Sequence, residues 1–170
     1  KLVGSEGRVI AFEPEEENFH FLLKNIEANG YSNVQAIPSA VSDTSGMAHI
    51  YLSAGNSGDH RIHYRGTDRT QKEIRQISLD DFFKPSERVD FIKMDIQGAE
   101  YVALKGMKRV LADNPDIIIV SEFWPEGLRA SGHSPESFLE SLQSQGFSLA
   151  YIDEKQGVVT KTSSQALLNL

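Results

Sequence analysis

The sequence contains no cysteine. That excludes a disulfide framework, a thiolate zinc site, an iron–sulfur cluster and a cysteine nucleophile. It is also short of positive charge. Its 17 Lys and Arg stand against 24 Asp and Glu, for a formal net charge of −7, so duplex nucleic acid is not the expected partner. No apolar run approaches the ~20 residues of a membrane span, and no charged-then-apolar leader opens the chain. Internal repeats, low-complexity tracts and a second-domain linker are missing too. What remains is an ordinary globular mix of 170 residues, 39% hydrophobic and 24% charged. One domain spanning residues 1–170 is expected, burying about two-thirds of its unfolded surface without a staple. The expected setting is soluble and cytoplasmic, away from membranes.

Residues 8–13 (Arg-Val-Ile-Ala-Phe-Glu) form a short apolar run closed by an acid, the pattern of a buried parallel strand. Pro14 suits the first position of a helix. Phe19, Leu22, Leu23 and Ile26 then lay one apolar stripe along that helix, and Asn29-Gly30 ends it. Residues 34–42 read as the next strand, completing a strand–helix–strand unit of about 30 residues. Further strands are expected over 47–53, 73–78, 89–96 and 117–120. The last is the most hydrophobic and reads as a central strand. Helices are expected over 98–112 and 135–145, and two closing strands near 147–153 and 166–170. Residues 54–72 lack periodicity and hold Gly55, Gly58 and Gly66, which makes them the best candidate for a mobile loop. The alternation gives an α/β class with a mostly parallel sheet and an antiparallel C-terminal edge.

Ligands of open α/β sheets bind outside the carboxyl ends of the strands. Three expected strands end there in an acid: Glu13, Asp95 and Glu122. A carboxylate so placed can take two hydrogen bonds from a ribose diol. Dinucleotide folds use an acid about 20 residues past a glycine loop, and that loop would fall before Lys1. Glu13 equally suits the N-terminus of the helix that follows it. In residues 90–100, Asp-Phe-Ile-Lys-Met-Asp-Ile-Gln-Gly-Ala-Glu, a strand delivers Asp95 to the rim and Gly98 permits close approach of a backbone or ligand. Asp95 can also cap the next helix, whose dipole Glu100 favours from the first turn. One acid is not a metal site, and none is expected.

Two more features bear on chemistry. His133 lies in an expected loop over 130–135 and titrates near neutrality, although a lone loop histidine is also ordinary surface. In residues 60–72, Arg61, Arg65, Arg69 and Lys72 face Asp68 alone, a net +3 with His60, His63 and Tyr64 interleaved. Arginine forks recognise phosphate or carboxylate, so this loop is either a clamp for an anionic group or simply solvated. Trp124, with Phe123 and Pro125, offers an apolar wall at the same edge.

A resemblance runs through the chain to about residue 153. It is carried by Gly7-Arg8-Val9-Ile10-Ala11-Phe12-Glu13-Pro14, Asn18, Asn25 and Asn29-Gly30. It continues in Ala40-Val41-Ser42-Asp43 with Gly46, Asn56-Ser57-Gly58 and Ser78-Leu79-Asp80-Asp81. The strongest piece runs from Val89 through Asp95, Gly98 and Glu100, followed by Leu104-Lys105-Gly106. Together these resemble the FkbM-type family of S-adenosylmethionine-dependent methyltransferases. The resemblance implies a Rossmann-like methyltransferase fold whose N-terminal first strand and glycine-rich cofactor loop are missing from this chain. It also implies that Glu13 takes the ribose hydroxyls of S-adenosylmethionine. The adenine edge would then be held by Ser42 and Asp43 after the third strand, within residues 40–43, and the methyl-donor pocket lined by residues 95–98, Asp95 and Gly98 among them. The expected acceptor is a hydroxyl on a small sugar or polyketide-like molecule, anionic if the arginine loop clamps it. An alcohol needs a base, for which Asp95, Glu122 and His133 are the candidates. The competing readings are a nicotinamide-dependent oxidoreductase, which needs a Gly-x-Gly-x-x-Gly that the chain does not contain, and a non-catalytic interaction domain or inert fragment.

Overall fold

The computed structural model describes residues 2–56, 58–62 and 68–169. Strand β1 (Val9–Phe12), helix α1 (Glu16–Ala28) and strand β2 (Val34–Ile37) form the expected unit. The two strands are parallel, with Val9 opposite Val34 and Phe12 opposite Ile37. Pro14 lies just ahead of the helix cap rather than in the first turn. The cap is Glu15, whose carboxylate accepts the amides of Glu17 and Asn18 at 2.7 and 2.9 Å. Glu16 and Glu17 then place negative charge at the positive end of the helix. The apolar stripe is only partly covered: no residue of α1 is fully buried, and Leu23 is 44% exposed.

The single strand expected over 34–42 is two strands. The Ser39 amide donates back to the Ile37 carbonyl at 2.9 Å, turning the chain before β3 (Ala40–Val41). β3 runs parallel to β5 (Thr70–Ile77), which pairs antiparallel with β4 (Gly46–Leu52). The stretch expected to be a loop over 54–72 is therefore strand from Thr70 onward. Arg61 is also tied down, because the Tyr51 amide donates to the Arg61 carbonyl at 2.8 Å and the Arg61 amide returns the bond at 3.2 Å. Ala40, Ile50 and Ile74 form a small apolar centre among these three strands.

The larger core gathers around β6 (Phe91–Met94) and β7 (Ile118–Ser121), a parallel pair. Met94, Leu104, Met107, Val110, Leu128, Phe138 and Leu139 are almost wholly excluded from solvent there. At about 1.5–3 kcal/mol per large apolar side chain, this cluster dominates the stability of the described residues. The helix expected over 98–112 is two helices, α3 (Glu100–Lys105) and α4 (Lys108–Asp113). The chain breaks at Gly106, where a Cβ would lie 2.0 Å from the Ser42 carbonyl oxygen. Asp80, in the short helix α2 (Leu79–Phe82), then caps α4 by accepting the Arg109 and Val110 amides at 3.0 and 2.9 Å. β7 is not central, since among the described residues it pairs only with β6 and Ile118 stays 60% exposed.

Helix α5 (Pro125–Ala130) occupies part of what reads as loop, and α6 (Pro135–Ser144) follows behind a Ser134 cap. The closing strands are β8 (Ala150–Asp153) and β9 (Val158–Lys161), an antiparallel pair. The strand expected at 166–170 is instead helix α7 (Ser164–Leu168), because the Ser163 hydroxyl accepts the Ala166 amide at 3.2 Å and caps a turn; Leu170 lies outside the described residues. Three of the five strand pairings are parallel, so the mixed α/β class with a mostly parallel arrangement holds. No described helix is long and apolar enough to cross a membrane.

Candidate active site

The carboxyl ends of β1 and β6 open onto one cavity of about 290 Å³. Glu13 and Pro14 line it from β1, and Asp95, Ile96 and Gln97 from β6. Ser39, Ala40 and Val41 contribute from the β2–β3 turn, while Ile50, His60 and Ile62 close the side nearest the β4–β5 hairpin. The volume is near the lower end of the range for small-molecule sites. Apolar walls meet two carboxylates there, which suits a flat heterocycle attached to a polyhydroxylated or cationic group.

Glu13 is half-buried. Its Oε1 accepts the Glu15 amide at 2.8 Å, and among the described residues nothing pairs with Oε2. Burial pushes its carboxyl above the ordinary range, against the pull of the Glu15 hydrogen bond. Asp95 is exposed at the rim, with Lys93 Nζ 3.2 Å from Oδ2 and Gln97 Nε2 3.4 Å from Oδ1. Glu122 sits beside it because its amide donates to the Met94 carbonyl at 2.9 Å, continuing the β6–β7 ladder. Burial, then the charges of Asp95 and Glu100, push the Glu122 carboxyl upward, and Lys93 opposes them. The acids thus gather on one edge, with few cations to offset them.

The turn after Asp95 is unusual. Gln97 has φ 56 and Gly98 φ 93. The first is a left-handed conformation costing a non-glycine residue roughly 1–2 kcal/mol. At the second, an added Cβ would lie 2.6 Å from the Gly127 backbone. Glu100 lies beneath the turn, with no solvent exposure. Its Oε1 accepts the Ile96 and Gly98 amides at 3.1 and 3.3 Å, and Oε2 has no partner among the described residues. Burial drives its carboxyl upward. A position in the first turn of a helix points to a solvated acid, and nothing local in the sequence signals this burial.

The remaining expected residues are dispersed. Ser42 is buried, and Asp43 faces Lys105 at 3.4 Å. Both flank Gly106, while Ala40 and Val41 of the same expected 40–43 stretch line the cavity. Gly98 packs on α5 and is likewise outside the lining. His133 lies edge-on to Tyr101 with centroids 5.0 Å apart, and its amide donates to the Leu128 carbonyl. It does not line the cavity.

The basic loop is largely engaged internally. Arg61 Nε reaches Asp59 Oδ1 at 2.7 Å, Arg69 pairs with the same carboxylate, and Lys72 bonds to Glu15 and Glu16. Burial works against the Asp59 charge, but hydrogen bonds from Arg61 and Arg69 outweigh it and hold the carboxyl low. A charge count begun at residue 60 leaves out this acid by one position. His63, Tyr64 and Arg65 lie outside the described residues. Arg61 also stacks over Trp124, 4.6 Å from the ring centroid, so the hairpin is pinned to the apolar wall. His60 was visible only as an interleaved histidine. It lines the cavity with Nδ1 accepting the Ser53 amide at 3.1 Å, so its neutral form carries its proton on Nε2 and presents a donor.

No group of three or more His, Asp or Glu among the described residues is arranged to hold a metal ion. A family model described as "Methyltransferase FkbM domain" matches residues 1–149. No curated protein matches. Among solved structures, the chain is similar to the methyltransferase FkbM from Methylobacillus flagellatus KT at 21% identity and a TM-score of 0.42. The match covers 62% of this chain and 23% of that one, so the chain spans less than a quarter of that protein's length.

Proposed function

Because the chain belongs to the FkbM methyltransferase family, we propose that it transfers a methyl group from S-adenosylmethionine to a hydroxyl of a small metabolite such as a sugar or polyketide-like molecule. In this reading the fold is a Rossmann-like methyltransferase domain working in the cytoplasm. The observation that carries it is the shared cavity: Glu13 and Asp95, on different strand pairs, line one cleft. The residues suit the donor. Glu13 Oε2 is open to a ribose hydroxyl, while Val41, Ile50 and Ile62 offer apolar surface to the adenine.

A sulfonium carries its own leaving group. The protein's task is to hold acceptor oxygen, methyl and sulfur in line, away from water. Carboxylates near the cation favour its binding. Asp95 lines the cavity and is therefore the base that takes the acceptor's proton. Glu122, with its raised carboxyl, stands next to it and can share that proton. His133, away from the cavity, has no part in this step. Arg61 and Arg69 are held by Asp59, so the reading rests on the acceptor's hydroxyl rather than on a clamp formed by these two arginines.

The test is a thermal shift of the full-length protein with S-adenosylmethionine and, separately, NAD. Stabilisation by the first alone is expected, about 2.7 kcal/mol at a hundredfold excess over Kd. Stabilisation by NAD, or by neither, rejects the reading. At saturating donor, Asp95→Asn should then lower turnover by roughly 10²–10⁴-fold, the worth of a general base.

A further inference from the structure

Glu100 is the one described side chain with a buried oxygen that no hydrogen bond reaches. A carboxyl with no exposure and half its acceptors idle is costly, so its place needs a reason. Its engaged oxygen supplies one. Oε1 gathers the Ile96 and Gly98 amides, the two that flank Gln97. Bringing both amides to one acceptor holds the backbone between them in the left-handed bend seen at Gln97 and Gly98. On the other side the Gly127 backbone closes against Gly98 and leaves no room for the turn to relax that way. The turn is held from beneath by a side chain and from above by a neighbouring helix.

Asp95 and Gln97 both project from this turn into the cavity, and Gln97 also bonds to Asp95 at 3.4 Å. We infer that Glu100 is the positioning residue of the site: its carboxyl fixes the 95–98 turn, and through it the placement of Asp95 and Gln97 around the bound donor. This rests on the methyltransferase reading above. It makes Glu100 the hydrogen-bond acceptor of the turn. Its Coulombic neighbour is Asp95 on the same turn, with Glu122 close by just past the end of β7, and each carboxylate disfavours a further charge.

The experiment uses the full-length protein and S-adenosylhomocysteine as the probe, with affinity read by calorimetry and amide exchange read at residues 96 and 98. Glu100→Gln keeps the acceptor oxygen and should bind within about twofold of the parent, with both amides still protected. Glu100→Asp withdraws the acceptor by one methylene while keeping the carboxyl, and Glu100→Leu removes it. Both should bind at least tenfold more weakly and lose protection at 96 and 98. If the Leu variant does not fold, the Asp variant decides. Parent-like binding by the Asp variant overturns the inference, as does a Gln variant as weak as the Asp one. Failure of the parent itself to bind the probe overturns the methyltransferase reading, and the inference with it.

Discussion

Replacing Glu13 with glutamine is the perturbation most directly tied to donor recognition. The side chain keeps its length, and its carbonyl can still accept the Glu15 amide that Oε1 accepts now at 2.8 Å. What is lost is the charge and the open acceptor at Oε2. A hydrogen bond to a charged group contributes about 1.5–3 kcal/mol, so the Kd for S-adenosylmethionine should rise roughly 10- to 150-fold. Calorimetry measures this, and the melting temperature of the free protein provides the control. Burial holds the Glu13 carboxyl above its ordinary range. In the parent, donor affinity should therefore begin to fall on acidification above the pH where an ordinary carboxylate protonates, since the neutral acid offers a poorer acceptor. Near that pH, binding should also release protons, seen as a binding enthalpy that varies with buffer ionisation heat. The pH dependence should flatten in the Gln variant. Unchanged affinity in a folded Gln variant refutes the ribose assignment.

Gly106→Ala should destabilise by about 1–3 kcal/mol, through overpacking rather than strained φ, because the new methyl meets the Ser42 carbonyl; urea unfolding measures it, and an unchanged midpoint contradicts the close approach. Asp59→Ala leaves Arg61 and Arg69 mostly buried without their shared anion, at 19% and 12% side-chain exposure. A loss of about 1–3 kcal/mol is expected, between the values for exposed and buried pairs, and a loss under 0.5 kcal/mol would show the pairs to be solvated. Glu100, whose carboxyl is raised in the folded state, stabilises at low pH, and that contribution is lost as pH rises through its folded pKa. The parent should therefore lose stability relative to Glu100→Gln as pH rises above the ordinary carboxylate range, and parallel curves in denaturant melts at several pH values would contradict the burial.

Much of the frame was legible because it is local. The apolar run at 8–13, the acid after it and the helix that follows obey short-range rules, and β1 and α1 fall where those rules put them. The rim acids were legible too, because a parallel strand ending in an acid delivers that acid to a known edge. The misses share a long-range cause. Gly106 breaks a helix because Ser42 touches it, and Asp80 caps the second piece from 30 residues upstream of Val110 on a different element. Asp59 neutralises arginines two and ten residues away across the hairpin, and within the expected 40–43 stretch Ser42 and Asp43 are drawn to the α3–α4 junction while Ala40 and Val41 line the cavity. The helix at the C-terminus is the exception. Ser163-Ser164 ahead of Ala-Leu-Leu was a readable cap, and the apolar run masked it.

The acids of this edge are best understood together. Glu13, Glu100 and Glu122 are all raised, each chiefly by burial. Asp59, in a comparable setting on the hairpin, is instead lowered, because two guanidiniums meet it. The difference is not in the carboxylates but in what faces them. The hairpin carries its own counter-ions, whereas among the described residues Lys93 is the cation that faces the rim acids. An edge that folds with negative charge largely uncompensated is complementary to a ligand that brings positive charge with it. A sulfonium nucleoside does so through its sulfur and its amine, and a nicotinamide dinucleotide brings two phosphates to the same edge. In the proposed reading, the charge of the described rim residues suits a methyl donor better than a dinucleotide.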